Sequence, residues 1–285
     1  MTYSIKSIKT QITLAAGSFK GGGNSRTVEG LATDAQIEKI GLPDFGKAHV
    51  KITGMKYDDM AQLTMLAFRP LQSARNVLTV WAGDYGGALS RVFVGEIMQA
   101  SADFNAAPEV SFNIEAFTGA YGMQIAKPPV AVQGSTPAAG LVSQFSTEAG
   151  YVFKNEGVTA AVSNSVFNGS PIEKARAVAN QIGAELLIDD DTITLLPAGK
   201  SLGGNVVPML SAESGLLGYP NLTAQGISLR CNFNPDLKLF GSIKVNTIVP
   251  RASGRWRIFK LTHALSAFRP GGGPWESQIE AMWEG

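Results

Sequence analysis

Hydrophobic positions recur with period two at both ends of this 285-residue chain and with helical period mainly in the middle. That order predicts a β region, an α/β region and a second β region. In the first third, His49 to Met55 and Gln62 to Phe68 are expected as strands joined by the polar turn Lys56-Tyr57-Asp58-Asp59. Val77 to Ala82 is expected as the next strand and Gly83 to Gly87 as a tight loop. Arg91 to Phe104 then reads as a long strand with a bulge or bend at Gly95. A turn over Asn105 to Pro108 leads into the strand Val110 to Phe117.

The last third repeats this plan. Ala264 to Phe268 (ALSAF) lies over Ala100 to Phe104 (ASADF) at an offset of 164 residues, and Ile279 to Met282 lies over Ile114 to Phe117 at an offset of 165. Upstream, Ile243-Lys244-Val245 answers Leu78-Thr79-Val80, and Ala224 to Leu237 loosely echoes Ala48 to Met60. Four matches in one order point to two copies of an antiparallel β unit. Between them, Lys127-Pro128-Pro129 opens a different region. There 134–151 resembles 169–186, each a proline-led helix with a glycine stop, because proline suits a first helical turn and glycine suits the position after the last. Leu186 to Ile188 and Thr192 to Leu196 bracket Asp189-Asp190-Asp191 as a β-hairpin. The fold class expected is mainly β with a small α/β insertion, in units 1–124, 125–204 and 205–285.

Composition narrows the function. Only 16% of residues are charged, against about 25% in an average soluble domain, and 32 glycines are present. A surface poor in charge suits contacts with protein, since charge is depleted at interface cores. A net charge of +1 gives no footprint for gripping a phosphate backbone, so specific nucleic-acid binding is not expected. Cys231 is the only cysteine, which excludes disulfides and, with His49 and His263 alone beside it, a closed zinc site. No apolar run approaches the roughly 18 residues of a spanning helix, so no membrane segment is expected.

Candidate chemistry is sparse. Gly199-Lys200-Ser201-Leu202-Gly203 fits the G-x-S-x-G nucleophile pattern, and Asp236 and His263 follow in hydrolase order, but Gly204, Val206, Val207 and Pro208 are poor material for the helix this elbow needs. His263 alternates with Leu261 and Leu265 and reads better as a satisfied structural histidine. Asp189-Asp190-Asp191 reads as a solvated hairpin tip rather than a cation site, because the alternating ligands of a calcium loop are missing. Gly21 to Gly23 and Gly271 to Gly273 lack phosphate-loop spacing and read as loop tips. No catalytic, cofactor or metal site is expected.

One segment is more specific. Ser214 to Pro220 reads SGLLGYP, in which Gly215, Leu216, Gly218 and Pro220 form a turn ahead of a strand, followed by the Asn234-Pro235 turn and the strand led by Gly241. This pattern resembles the baseplate hub proteins of contractile-tailed phages. The resemblance implies two tail-tube-like antiparallel β-barrel domains in one chain, and a homotrimeric, pseudo-sixfold ring joining the tail tube to the central spike while leaving a channel for DNA. It also implies a non-enzymatic virion component, assembled in the host cytoplasm, that touches tube, spike, wedge and tape-measure proteins and needs no cofactor. The alternatives are a tail-associated hydrolase using Ser201, Asp236 and His263, or the hub portion of a bacterial contractile injection system.

Overall fold

The computed structural model describes residues 4–67, 75–105, 107–204 and 206–284. The first third contributes β1 (Lys6–Thr13), β2 (Ser25–Val28), β3 (Ala32–Ile40), β4 (Lys47–Thr53), helix α1 (Tyr57–Ala67), β5 (Val77–Asp84), β6 (Leu89–Asp103) and β7 (Ser111–Phe117). Inward positions alternate along β3, β4 and β5, and Ile8, Ile12, Ile37, Val50, Leu78, Phe93 and Ile114 meet in one core. The strand expected over Gln62 to Phe68 is instead part of α1, with Phe68 itself outside the described residues. Asp58 and Asp59 favour a helix N-terminus, the residues after them are good helix formers, and Met60 and Leu63 bury one helical face in the core. Gly95 is not a bulge. The ladder irregularities fall on either side of it, at Val92 and Met98. A side chain at Gly95 would meet the Phe93 ring at 2.6 Å and the Phe117 backbone at 2.9 Å, so close packing explains the glycine.

The middle region builds α2 (Ala120–Gln124), β8 (Val130–Pro137), α3 (Ala138–Glu148), β9 (Val152–Asn155), β10 (Ala161–Phe167), α4 (Pro171–Gln181), β11 (Ala184–Asp189) and β12 (Thr192–Pro197). It has its own core around Phe145, Ile172, Val178 and Ile193, and its own sheets, β10-β8 and β11-β12-β9. Pro171 opens α4 behind a capping box in which the Ser170 hydroxyl and Glu173 carboxylate satisfy each other's backbone N–H. Pro137 precedes α3 as its N-cap rather than lying in its first turn. Gly150 and Gly183, at φ 78° and 64°, stop the two helices in the left-handed region.

The last third contributes β13 (Met209–Leu210), β14 (Leu216–Thr223), β15 (Gly226–Asn232), β16 (Ser242–Val245), β17 (Gly254–Ala267) and β18 (Trp275–Trp283). The order β14-β15-β18-β17-β16 reproduces β3-β4-β7-β6-β5 strand for strand. The long strands even share a bulge. Ile97 faces Ala116 and Gln99 faces Glu115, just as Ile258 faces Ala281 and Lys260 faces Glu280. The duplication is therefore built into the topology. It corrects one alignment, however: Ile97 corresponds to Ile258, 161 residues apart rather than 164. An odd slip of three would turn every side chain to the opposite face, so ALSAF over ASADF is a coincidence of small residues. Likewise Val50 corresponds to Leu229, through their partners Ile114 and Ile279.

The two sets of strands are not separate. β3 pairs with the second half of β17, from Lys260 opposite Ile40 to Ala267 opposite Thr33, which fuses both into one sheet. Leu265 and Ala267 of β17 accordingly lie in the first core.

Candidate assembly surfaces

The insertion is fastened to the β scaffold by charged groups. Asp189-Asp190-Asp191 is not a solvated tip. The β11–β12 turn, with Asp190 at φ 54°, pushes into the face of the first β unit. Lys39, buried on β3, donates to Asp189 at 2.7 Å and Asp190 at 3.0 Å. Asp190 also accepts the Val94 N–H at 3.0 Å, and Arg91 forks onto both Asp191 oxygens at 3.0 and 3.1 Å. Burial alone would depress the Lys39 pKa, but the negative charges of Asp189 and Asp190 outweigh it and hold the ammonium well above its ordinary value. Burial raises Asp190, against the pull of Lys39. Among the described residues no three His, Cys, Asp or Glu side chains gather as metal ligands, and these carboxylates are engaged by cations of the chain itself.

A second fastening lies at Glu96 on β6. Its Oε1 accepts from the Tyr151 hydroxyl at 2.6 Å and from Arg75 Nε at 3.1 Å, while Tyr151 also receives the Gly119 N–H at 2.8 Å. Burial, and then the Glu96 charge, push the Tyr151 hydroxyl well above its usual pKa, so it stays a donor. Tyr151→Phe would leave a buried N–H and carboxylate short of partners, and urea denaturation at neutral pH is expected to read a loss of about 1–3 kcal/mol.

The third fastening mirrors the second. Arg257 occupies on β17 the ladder position of Glu96 on β6, since Phe117 and Val77 flank the one as Met282 and Ser242 flank the other. Arg257 is buried, lies over the Phe240 ring at 4.1 Å and pairs with Glu185 on β11. Leu187, Leu196, Leu239 and Phe240 fill the space beside it. None of these partnerships has a sequence motif. The only signal is ionic residues set inside otherwise apolar strands.

The hydrolase constellation does not come together. Ser201 and Asp236 line one polar cavity of about 650 Å³ between the insertion and the last third, with Lys200, Lys238, Arg255 and Glu284. His263 is not at that cavity. It is buried on β17, shares a 2.8 Å hydrogen bond with Ser277, packs on Phe233, and burial lowers its pKa to about 3. No helix follows Ser201 among the described residues through Pro208. Cys231 is a buried apolar position whose pKa burial pushes up to about 12.

The signature residues are placed differently from expectation. Gly215, Leu216, Gly218 and Pro220 do not form a turn ahead of a strand. Leu216, Gly218 and Pro220 lie in β14, the last strand of the sheet, with Gly215 just before it. The β14–β15 register breaks between Leu217 and Asn221, and Gly218 takes φ 73° to make the bulge. Leu217, Tyr219 and Leu222 are exposed along this strand. Asn234-Pro235 is a turn as expected, closed by the Asn234 side chain accepting the Asp236 N–H at 2.9 Å, and Gly241 precedes β16.

This architecture is shared with phage tail proteins. The 43 kDa tail protein of prophage MuSo2 from Shewanella oneidensis superposes with a TM-score of 0.64 at 10% identity, over 99% of this chain and 97% of that one. A tail protein from Neisseria meningitidis gives 0.65 at 8% identity over 97% and 98%. An E. coli component of the type VI secretion system, described as structurally similar to the T4 tail proteins gp27 and gp5, gives 0.56 at 10% identity over 88% and 73%. The fold is thus the mainly β architecture that these tail proteins share. A family model described as "Baseplate hub gp41" matches residues 9–268, and the chain belongs to that family. No curated protein matches it by sequence. Family membership makes it a baseplate hub protein, a component of the virion tail.

Proposed function

We propose that three copies form a homotrimeric ring of pseudo-sixfold symmetry, which connects the tail tube to the central spike and lets DNA pass. The observation that carries this reading is the strand-for-strand equivalence of β14-β15-β18-β17-β16 with β3-β4-β7-β6-β5. One chain offers two like units, so three chains offer six, and a threefold body can meet a sixfold tube on one side and a threefold spike on the other. We assign 1–124 and 205–285 to the two tube-like units and 125–204 to the insertion, with wedge and tape-measure proteins as further contacts. The role is one of assembly without catalysis, in a contractile tail that ejects its genome through the ring. A net charge of +1 agrees with a channel that does not retain DNA.

Light scattering on the chain co-expressed with the adjacent spike protein tests this. Three copies per complex are expected, with weak, salt-sensitive DNA binding. A chain that stays monomeric beside its spike overturns the ring. The fold shared with the type VI component favours a second reading, the hub of a bacterial contractile injection system. Purified particles distinguish the two, because only a phage tail is joined to a DNA-filled head.

A further inference from the structure

The polar cavity between the insertion and the last third has a fixed frame. On the insertion's side it is lined by the loop that leaves β12, which carries Lys200 and Ser201. Gly199 opens this loop at φ 75°, and three backbone N–H groups pin it: Gly199 donates to Glu185 at 3.2 Å, Lys200 to the Pro197 carbonyl at 3.2 Å and Leu202 to the Phe240 carbonyl at 2.8 Å. On the other side stand Asp236, Lys238 and Gly241. Several of the lining charges are engaged within the chain. Glu284 accepts from the Ser242 hydroxyl at 2.7 Å and from Arg255 Nε at 3.1 Å, and Lys154 pairs with Glu156 at 2.6 Å. Lys200 and Lys238 are in no ion pair among the described residues, and the one lining carboxylate outside these pairs is Asp236. Ser201 neighbours Glu284, yet no group meets its shielded hydroxyl in hydrogen-bonding geometry. Beside these polar groups Val206 and Val207 line the same cavity and are 69% and 39% exposed.

We propose that this cavity receives an acidic segment of another protein chain. Lys200 and Lys238 take its carboxylates, the Ser201 hydroxyl donates to one of them, and the two valines cover an apolar side chain beside the charges. Each part of the lining narrows the occupant. Sites for drug-sized molecules are mostly apolar, and this one is lined mainly by charged and hydroxyl side chains, which excludes an apolar ligand. A small free anion would use the lysines and leave the valines in water. A phosphate backbone is a continuous line of negative charge and would meet Asp236 and Glu284, whereas two separated lysines match separated carboxylates. The cations come from both sides of the joint, so a bound segment would tie the insertion to the last third. Glu185, which holds Gly199 in the loop, is the same residue that pairs with Arg257, so the docking of the insertion also positions Lys200. Nothing in this site depends on how many copies assemble.

Fluorescence anisotropy tests it, with the full chain and the fluorescein-labelled peptide Glu-Glu-Leu-Glu-Glu at low salt, where charge contacts are least screened. Saturable binding is expected, and Lys200→Gln/Lys238→Gln should weaken it by about tenfold or more, because two charge-assisted contacts are a large part of so small an interface. Lys51→Gln/Lys127→Gln removes the same charge from lysines outside the cavity and should bind as the native chain does. Asp236→Asn should tighten binding, an effect that a merely structural role would not produce. All of these side chains are exposed, so the variants are expected to fold. The neutral peptide Gln-Gln-Leu-Gln-Gln should not bind. Absence of saturable binding by the acidic peptide, or equal weakening by the two double variants, overturns the proposal. Succinate or inorganic phosphate that displaces the peptide at concentrations close to its own half-saturation would make this a site for a free anion. A short single-stranded oligonucleotide bound with the same dependence on Lys200 and Lys238 would make it a nucleic-acid contact, and either result overturns the peptide reading.

Discussion

Replacing Lys39 by methionine is expected to destabilise the protein by about 3 kcal/mol, measured by urea denaturation at pH 7. The figure is the lower end for breaking a buried ion pair. The loss arises because Asp189 and Asp190 would stay docked against β3 with no cation, while keeping slight contact with water. The pH dependence separates this cause from lost packing. In the native protein the Lys39 pKa is raised by folding, so its contribution is fully present below its unfolded value near 10.4 and fades as pH rises through the folded one. In Lys39→Met the orphaned carboxylates should instead regain stability on acidification, as they take up protons. The triple variant Lys39→Met/Asp189→Asn/Asp190→Asn should recover most of the loss, because an amide oxygen can still accept the Val94 N–H. A single variant as stable as the native chain would show that the hairpin turn is not held by this cluster.

His263 gives the second large effect. Burial, assisted by the positive charges of Lys39 and Lys238 against the pull of Asp189, lowers its pKa to about 3. The unfolded imidazole titrates near 6.5, so the unfolded chain takes up a proton over a range in which the folded chain refuses it. Stability is therefore complete above about pH 6.5 and declines as pH falls toward 3, by on the order of 4 kcal/mol. Denaturation midpoints followed from pH 7 to pH 4 should show this slope in the native protein. His263→Asn, which can keep a hydrogen bond to Ser277, should flatten that part of the slope due to the imidazole. Equal slopes in the two proteins would mean that His263 does not resist protonation.

Most of the fold is legible in the sequence because each strand buries one face, and alternation therefore survives in β4, β5, β7 and β18. The helix stops were legible for a different reason: Gly150 and Gly183 adopt a backbone conformation other residues resist. α1 is disguised in the sequence because Leu63, Thr64 and Met65 alternate superficially, while its true marker is the acidic pair Asp58-Asp59 ahead of helix formers. The strand repeat was visible in composition but its register was not. Register depends on a bulge that small residues such as Ala100 and Ala264 leave no trace of. The docking contacts were the least legible. Asp189 to Asp191 has the composition of an exposed turn, and only the approach of Lys39 and Arg91 from elements 150 and 100 residues away gives it another role. The failed Ser201, Asp236 and His263 set teaches the converse, since correct chain order placed one member in a core behind the strand that carries it.

The opposed charges at Glu96 and Arg257 have a geometric consequence. A duplicated chain would be nearly indifferent to which half its insertion faced if both halves offered the same handle. Here one half offers an acceptor to Tyr151 and the other a cation to Glu185, so the insertion fits in a single sense and each copy acquires a direction. In the proposed ring such copies would all point the same way around the axis, and its two rims would be chemically different.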